Sequence, residues 1–276
     1  NTVEKDGKGE YQPSLTYYKE SPNGHYSVPV ADRMYMKSSY VDSMYQLILA
    51  SPLSRSGHYV YSDLGLILLA RVIHSIDGRT LDQFVAEEFY QPMGLKRTGF
   101  NPLERSISPA SIVPTEYDDY FRKQLLNGYV HDMGAAMLGG VSGHAGLFTN
   151  AQELAAIFQL LLNKGVYGGE PFLRAETIEL FTQRVPGASR RGIGFDMKQL
   201  DSRERGNMTD RASSSTFGHL GFTGIAAWAD PEEELLYIFL SNRTYPKMSN
   251  RKLIQNRYRK RIHEAIYQSI IRNEGA

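Results

Sequence analysis

Apolar positions recur at helical spacing through most of the first 180 residues and switch to strand-like runs after Gly192. Ser38 or Ser39 can cap a helix that carries Tyr40, Met44, Leu47 and Ile48 on one side and stops at Ser51-Pro52. In "HYVYSDLGLILLARVI", Leu64, Ile67, Leu68, Val72 and Ile76 form one stripe, while Leu66, Leu69 and Ile73 fill the other side. Apolar residues all round for two turns predict a buried helix. Ser62 is its expected N-cap, Asp63 suits the positive end of the helix dipole, and Gly78 ends it. Thr80 starts a further helix with Leu81, Phe84, Val85 and Phe89 inward.

Residues 1–37 show no sustained period and predict a loop with at most a short strand, and residues 101–130 look irregular. A glycine-dense loop, "GGVSGHAGLFT", then leads into a helix capped by Thr149 or Asn150 and ended by Gly165, and "FLRAETIELFTQ" predicts another short helix. From Gly192, "GIGFDM", "SSTFGHLGFTGIAAWA" and "LLYIFLSNR" read as strands, with "DPEEE" turning the last two into a hairpin. Residues 251–271 predict a closing amphipathic helix with Leu253, Ile254, Ile262, Ile266 and Ile270 inward. The sum is α+β: one domain over 1–276, with an irregular start, a mainly helical lobe over 38–190, and sheet hairpins plus a terminal helix over 191–276.

At 276 residues, 41% hydrophobic and 22% charged, the chain has the composition of an ordinary globular protein with a sizeable core. A net charge of +1 gives no global field to gather nucleic acid. The six basic residues of "RKLIQNRYRKR" read as the solvated face of the last helix. No apolar run reaches the ~20 residues of a membrane span. The absence of cysteine removes disulfides, thiolate nucleophiles and cysteine zinc sites together.

Several hydrolase signatures are absent, which narrows the chemistry. Ser142 follows Gly140 at nucleophile-elbow spacing, but His144 stands where the second glycine belongs. No metalloprotease helix motif, phosphate loop or dinucleotide fingerprint occurs. His131, Asp132 and His144 lie on a glycine loop without ligand spacing, which favours structural hydrogen bonding over a metal cluster. Taken singly, Tyr61 reads as a half-buried tyrosine and His219 as a strand histidine. Glycines 218 and 221 around His219, however, suit close approach of a ligand or another backbone.

The order of these segments is more telling than any one of them. Tyr61-Ser62-Asp63 before an apolar helix, "QPMGLKRTGF", "GHAGLFTNAQELAAIFQLLL" and "HLGFTG" before a hairpin resemble the serine β-lactamase and penicillin-binding-protein superfamily, in particular its class C-like and esterase-like branch. The resemblance runs from about Asp32 onward. It implies a β-lactamase/transpeptidase-like fold, an antiparallel sheet flanked by helices, and a serine hydrolase working through an acyl-enzyme on an amide or ester, without a cofactor.

Residue by residue, Tyr61 matches the tyrosine that shuttles the nucleophile's proton, with Ser62 and Asp63 completing that motif. His219, Leu220 and Gly221 match the Lys-Thr-Gly strand, and the backbone N–H of Phe222 matches an oxyanion-hole donor. Asp63 replaces an asparagine and only accepts hydrogen bonds, and His219 replaces a permanent cation. Both changes favour an esterase- or peptidase-like relative over β-lactam hydrolysis.

The family's Ser-x-x-Lys nucleophile should precede Tyr61. The one serine at that spacing from a lysine is Ser249, with Lys252, and it follows the hairpin; Thr2 with Lys5 and Thr16 with Lys19 have the spacing with threonine. The expectation is therefore a chain truncated at its N-terminus, whose nucleophile and first strands lie in an upstream segment of the same protein, with a glycoside hydrolase domain as a possible fusion partner. A bacterial periplasm or cell envelope would fit that reading. The alternative is a catalytically inactive homologue that binds a cell-wall fragment or a protein.

Overall fold

The computed structural model describes residues 2–53, 59–187, 190–201 and 203–274. Asn1 and His58, which begin the irregular segment and the apolar stretch above, lie outside the described residues. The chain divides into two units: residues 1–56, 60–149 and 244–248, and residues 57–59, 150–243 and 249–276.

In the first unit, the opening residues form more strand than their sequence predicts. β1 (Val3–Lys5) and β2 (Tyr11–Pro13) pair as a hairpin, and β3 (Tyr18–Lys19), β4 (Tyr26–Ala31) and β5 (Met34–Lys37) make an antiparallel sheet in the order β3-β5-β4. Then come α1 (Ser39–Leu49), α2 (Leu64–Asp77) and α3 (Leu81–Val85), the last running into a π-helical turn at Ala86–Tyr90. The hairpin of β6 (Glu116–Asp118) and β7 (Gln124–Leu126) and the short α4 (Met133–Met137) follow. Met36, Val30, Tyr18, Phe121, Leu126 and Ala136 bury one another as this unit's core. They come from three separate stretches, none of which has a sustained period of its own.

Helix α2 departs from expectation. Among its residues only Ile67 is buried; Leu66, Leu69, Val72 and Ile76 are exposed, Ile76 by 83%. Periodicity reports how much apolar surface a helix carries, while burial depends on what the rest of the chain lays against it. The N-cap is Asp63, with Ser62 Oγ accepting from the Leu64 N–H at 3.2 Å, and Gly78 closes the helix in the left-handed conformation as expected.

The second unit is a sheet between helices. It comprises α5 (Ala151–Leu162), β8 (Val166–Tyr167), β9 (Glu170–Pro171), α6 (Ala175–Thr182), β10 (Asp196–Met197), β11 (Phe217–Gly221), β12 (Ile225–Asp230), β13 (Leu235–Phe239), α7 (Lys252–Gln255) and α8 (Tyr258–Glu274). β10 to β13 form an antiparallel sheet in sequence order. Alternation along β12 sends Ala227 and Ala229 to one face with Phe158 of α5, and Ala226 and Trp228 to the other with Tyr267 of α8. Asn150 caps α5, accepting from the Glu153 N–H at 2.9 Å.

Two sequence expectations change here. The stretch read as one strand, "SSTFGHLGFTGIAAWA", breaks into β11 and β12 at a turn where the Gly224 N–H donates to Gly221 O. The closing helix also breaks, at Arg257, whose φ of 52° is left-handed. The break resets the phase, so His263 and Tyr267 are buried while Ile254 and Ile262 are exposed.

Candidate functional site

The residues singled out from sequence fall into two groups, one on each unit. Tyr61, Ser62 and Asp63 lie on the lead into α2, with Tyr61 exposed and the Asp63 carbonyl accepting the helix's first backbone hydrogen bond, from Ile67 N–H at 3.0 Å. His219, Gly221 and Phe222 lie at the end of β11 and on the turn after it.

Glycine at 218 is a requirement of the sheet. With φ at 155°, a β carbon there would stand 1.9 Å from Ala227 O and 2.6 Å from the Trp228 ring. The missing side chain lets β11 lie close against β12 just before His219. The imidazole is then fixed at both nitrogens: Nδ1 is 2.7 Å from Leu220 O and Nε2 is 3.2 Å from Arg191 Nη1. A guanidinium only donates and a carbonyl only accepts, so Nε2 offers its lone pair to Arg191 and Nδ1 carries the hydrogen. His219 therefore does not itself supply the positive charge in this arrangement. Arg191 does, and it is braced by Asp196, whose Oδ1 is 3.7 Å from its Nε, while its guanidinium lies 5.6 Å from the centre of the Tyr59 ring.

The turn after β11 is gripped from beneath by two more arginines. Arg243 Nε donates to Phe222 O at 2.8 Å and its guanidinium stacks 4.3 Å from the Phe222 ring centre. Arg259 Nη1 donates to Ile225 O at 2.8 Å and to Gly221 O at 3.3 Å. Burial pulls both guanidinium pKa values down, with a neighbouring arginine adding to the effect in each case. The carbonyls of the turn are thus occupied and its backbone is held in one conformation. An N–H donor on such a turn is already oriented before a substrate arrives, which is what oxyanion stabilisation requires.

The candidate metal residues separate. His131 Nδ1 is 2.6 Å from Glu116 Oε1, whereas His144 pairs with Asp132. Among the described residues, no group of three or more His, Cys, Asp or Glu side chains is arranged to hold a metal ion, and no helix is long and apolar enough to cross a membrane. Arg191 was not visible in the sequence as a site residue: it precedes His219 by 28 positions, and only the pairing of β10 with β11 brings its segment alongside.

The chain as a whole resembles known proteins. The family model described as Beta-lactamase matches residues 15–259. A putative D-alanyl-D-alanine carboxypeptidase of Escherichia coli (strain K12) is 32% identical over 247 residues, covering 80% of this chain and 55% of the relative. The protein of the same description from Salmonella gallinarum is 34% identical over 245 residues, with 82% and 55% covered. The chain thus spans about half the length of the curated relatives it matches. Among solved structures, simvastatin synthase from Aspergillus terreus aligns with a TM-score of 0.55 at 17% identity, covering 83% of this chain and 63% of that one. A beta-lactamase from Mycobacterium bovis aligns at 0.52 and 19%, covering 79% and 67%. These likenesses confirm the β-lactamase/transpeptidase-like α+β fold that the resemblance implied, and with a family match over most of its length the chain belongs to the beta-lactamase family of serine β-lactamases and penicillin-binding proteins.

Proposed function

We propose that this chain carries the proton-transfer and oxyanion groups of a serine hydrolase that cleaves peptides ending in a D-amino acid, with the nucleophilic serine supplied by a segment outside these 276 residues. The observation that carries this reading is Arg191, a guanidinium held 3.2 Å from His219 on the strand matched to Lys-Thr-Gly. A permanent cation at that strand suits a substrate with a free carboxylate next to the scissile amide. The name shared by the curated relatives, D-alanyl-D-alanine carboxypeptidase, describes such a substrate.

In the proposed mechanism the serine hydroxyl attacks the amide carbonyl as Tyr61 takes its proton. The Phe222 N–H, on its braced turn, donates to the developing oxyanion. Tyr61 returns the proton to the leaving amine, which departs as the free D-amino acid. Water then attacks the acyl ester by the reverse sequence and the serine is restored. A phenol with a pKa of ~10 is a poor base at neutral pH unless a nearby cation favours its phenolate, so positive charge is needed in such a site.

Mass spectrometry of the full-length protein after exposure to a fluorophosphonate or a penicillin tests this. An adduct on a serine upstream of Tyr61, formed more slowly in Tyr61→Phe, supports the reading. No adduct with either probe would sink it in favour of a binding-only homologue.

A further inference from the structure

Ser142 and Asp132 lie outside the motifs matched above and His144 at the start of one, yet the three form one line of hydrogen bonds. Ser142 Oγ is 2.9 Å from His144 Nδ1, and His144 Nε2 is 2.8 Å from Asp132 Oδ1. Asp132 Oδ1 also accepts from the Ala135 N–H at 2.8 Å, which caps α4. Burial alone would raise the Asp132 carboxyl, but hydrogen bonds from His144 and Ala135 reverse the effect and hold it below the ordinary carboxylate value. An ionised carboxylate only accepts, so Nε2 carries a hydrogen, and in the neutral ring Nδ1 accepts from the Ser142 hydroxyl.

The order serine-histidine-aspartate is that of a catalytic triad, but the ring nitrogens are exchanged, with serine on Nδ1 and aspartate on Nε2, and the burial of the line indicates a different task. Ser142 is 3% exposed and the His144 side chain 5%, so no substrate carbonyl reaches the hydroxyl in this conformation. What the line does reach is α2. Gly143, between its two loop members, lies so close to the first turn of α2 that a β carbon there would stand 2.2 Å from Leu66 O. The loop is tied down at both ends. Asn101 Nδ2 donates to Gly139 O at 2.8 Å, and Gly99 and Phe148 exchange both backbone hydrogen bonds at 2.9 Å. Since α2 leaves most of its apolar side chains exposed, this backbone contact and the buried Ile67 are what hold its first turn against the unit.

We propose that Ser142, His144 and Asp132 are positioning residues that clamp residues 139–146 against the first turn of α2 and thereby fix Tyr61, which precedes that turn. The effect on rate rests on the reading of Tyr61 as the proton-transfer group; the effect on α2 does not. A satisfied buried network of this kind rigidifies the segments it joins, and hydrogen exchange reports such local rigidity separately from global stability.

The test uses the full-length protein and its Ser142→Ala, Ser142→Thr and His144→Phe variants. Hydrogen–deuterium exchange is followed in peptides covering 61–70 and 139–148, with 217–239 as an internal reference, beside kcat and KM on an aryl ester. Ser142→Ala should speed exchange in 61–70 by about tenfold while 217–239 is unchanged. It should lower kcat by a similar factor at unaltered KM, and Ser142→Thr should restore both. If His144→Phe does not fold, Ser142→Ala decides alone. Unchanged exchange in 61–70 overturns the inference whether or not the protein hydrolyses the ester. A fluorophosphonate adduct on Ser142 also overturns it, by making that serine a nucleophile. If exchange responds in a protein that never turns over the ester, the positioning role holds and the hydrolase reading fails.

Discussion

Arg191 stands 3.2 Å from His219 and donates to its Nε2, so the charge expected from the histidine is supplied by the arginine behind it. Under the proposed function this pairing should separate two kinds of substrate. A charge-assisted hydrogen bond to a substrate carboxylate contributes about 1.5–3 kcal/mol. Arg191→Ala should therefore lower kcat/KM for a carboxylate-bearing peptide by about 10- to 100-fold and change a neutral ester by less than about threefold. Arg191→Lys should fall between, because an ammonium keeps the charge and loses the planar fork. Equal losses on both substrates would show that Arg191 does not read the carboxylate.

Part of each unit was legible because its cues are local. Gly78 after α2 and Asn150 before α5 each announce their roles within a few residues. What stayed hidden depends on distant partners. "HLGFTG" reads as continuous strand because Phe222 and Thr223 favour strands, and the turn at Gly224 appears only when β12 folds back on β11. Arg191 has no local pattern that points to His219. The exposure of α2 could not be read from its own residues, because a hydrophobic stripe carries no information on where its cover lies.

Gly218 offers a direct test of the sheet that carries His219. A β carbon would meet Ala227 O at 1.9 Å, too close for the backbone to absorb without separating β11 from β12. Gly218→Ala should destabilise the protein by about 3 kcal/mol or more. Trp228 is the chain's single tryptophan and lies on the adjacent strand, so its fluorescence during urea unfolding reports the change directly. A midpoint within error of the parent would show that the strands separate there at little cost.

Tyr61 and His219 can be asked whether they serve one reaction. If they do, Tyr61→Phe should slow acylation by about 100-fold, a general acid–base contribution, and His219→Ala, which removes the group that holds Arg191, by a similar factor. The double variant should be slower than the worse single by less than about tenfold, since residues acting as a unit lose their effect together. Losses that multiply to about 10⁴-fold would mean the two residues act independently.

The pH dependence of stability should carry the mark of His263. Its ring is buried and stacks 4.5 Å from the Tyr237 ring, and its Nδ1 accepts from the Thr209 N–H at 3.3 Å; burial and the accepted hydrogen bond favour the neutral form. Burial is the main cause of a pKa lowered from 6.5 to about 4; Asp230 and Glu264 oppose the shift, and Lys198 and Lys260 reinforce it. Between those two values the unfolded chain binds a proton that the folded chain refuses. Stability should therefore rise with pH across this window, be complete above about 6.5, and be lost as pH falls toward 4. At about 1.4 kcal/mol per pH unit, the loss amounts to about 3 kcal/mol. Asp118, Asp132 and Asp230, held below the ordinary carboxylate value, add their own loss only at lower pH. Urea midpoints measured from pH 7 to 4 should show the slope in the parent and a flatter line in His263→Phe, which keeps the stacking ring and has nothing to protonate. An equal slope in both proteins would assign the acid sensitivity to another group.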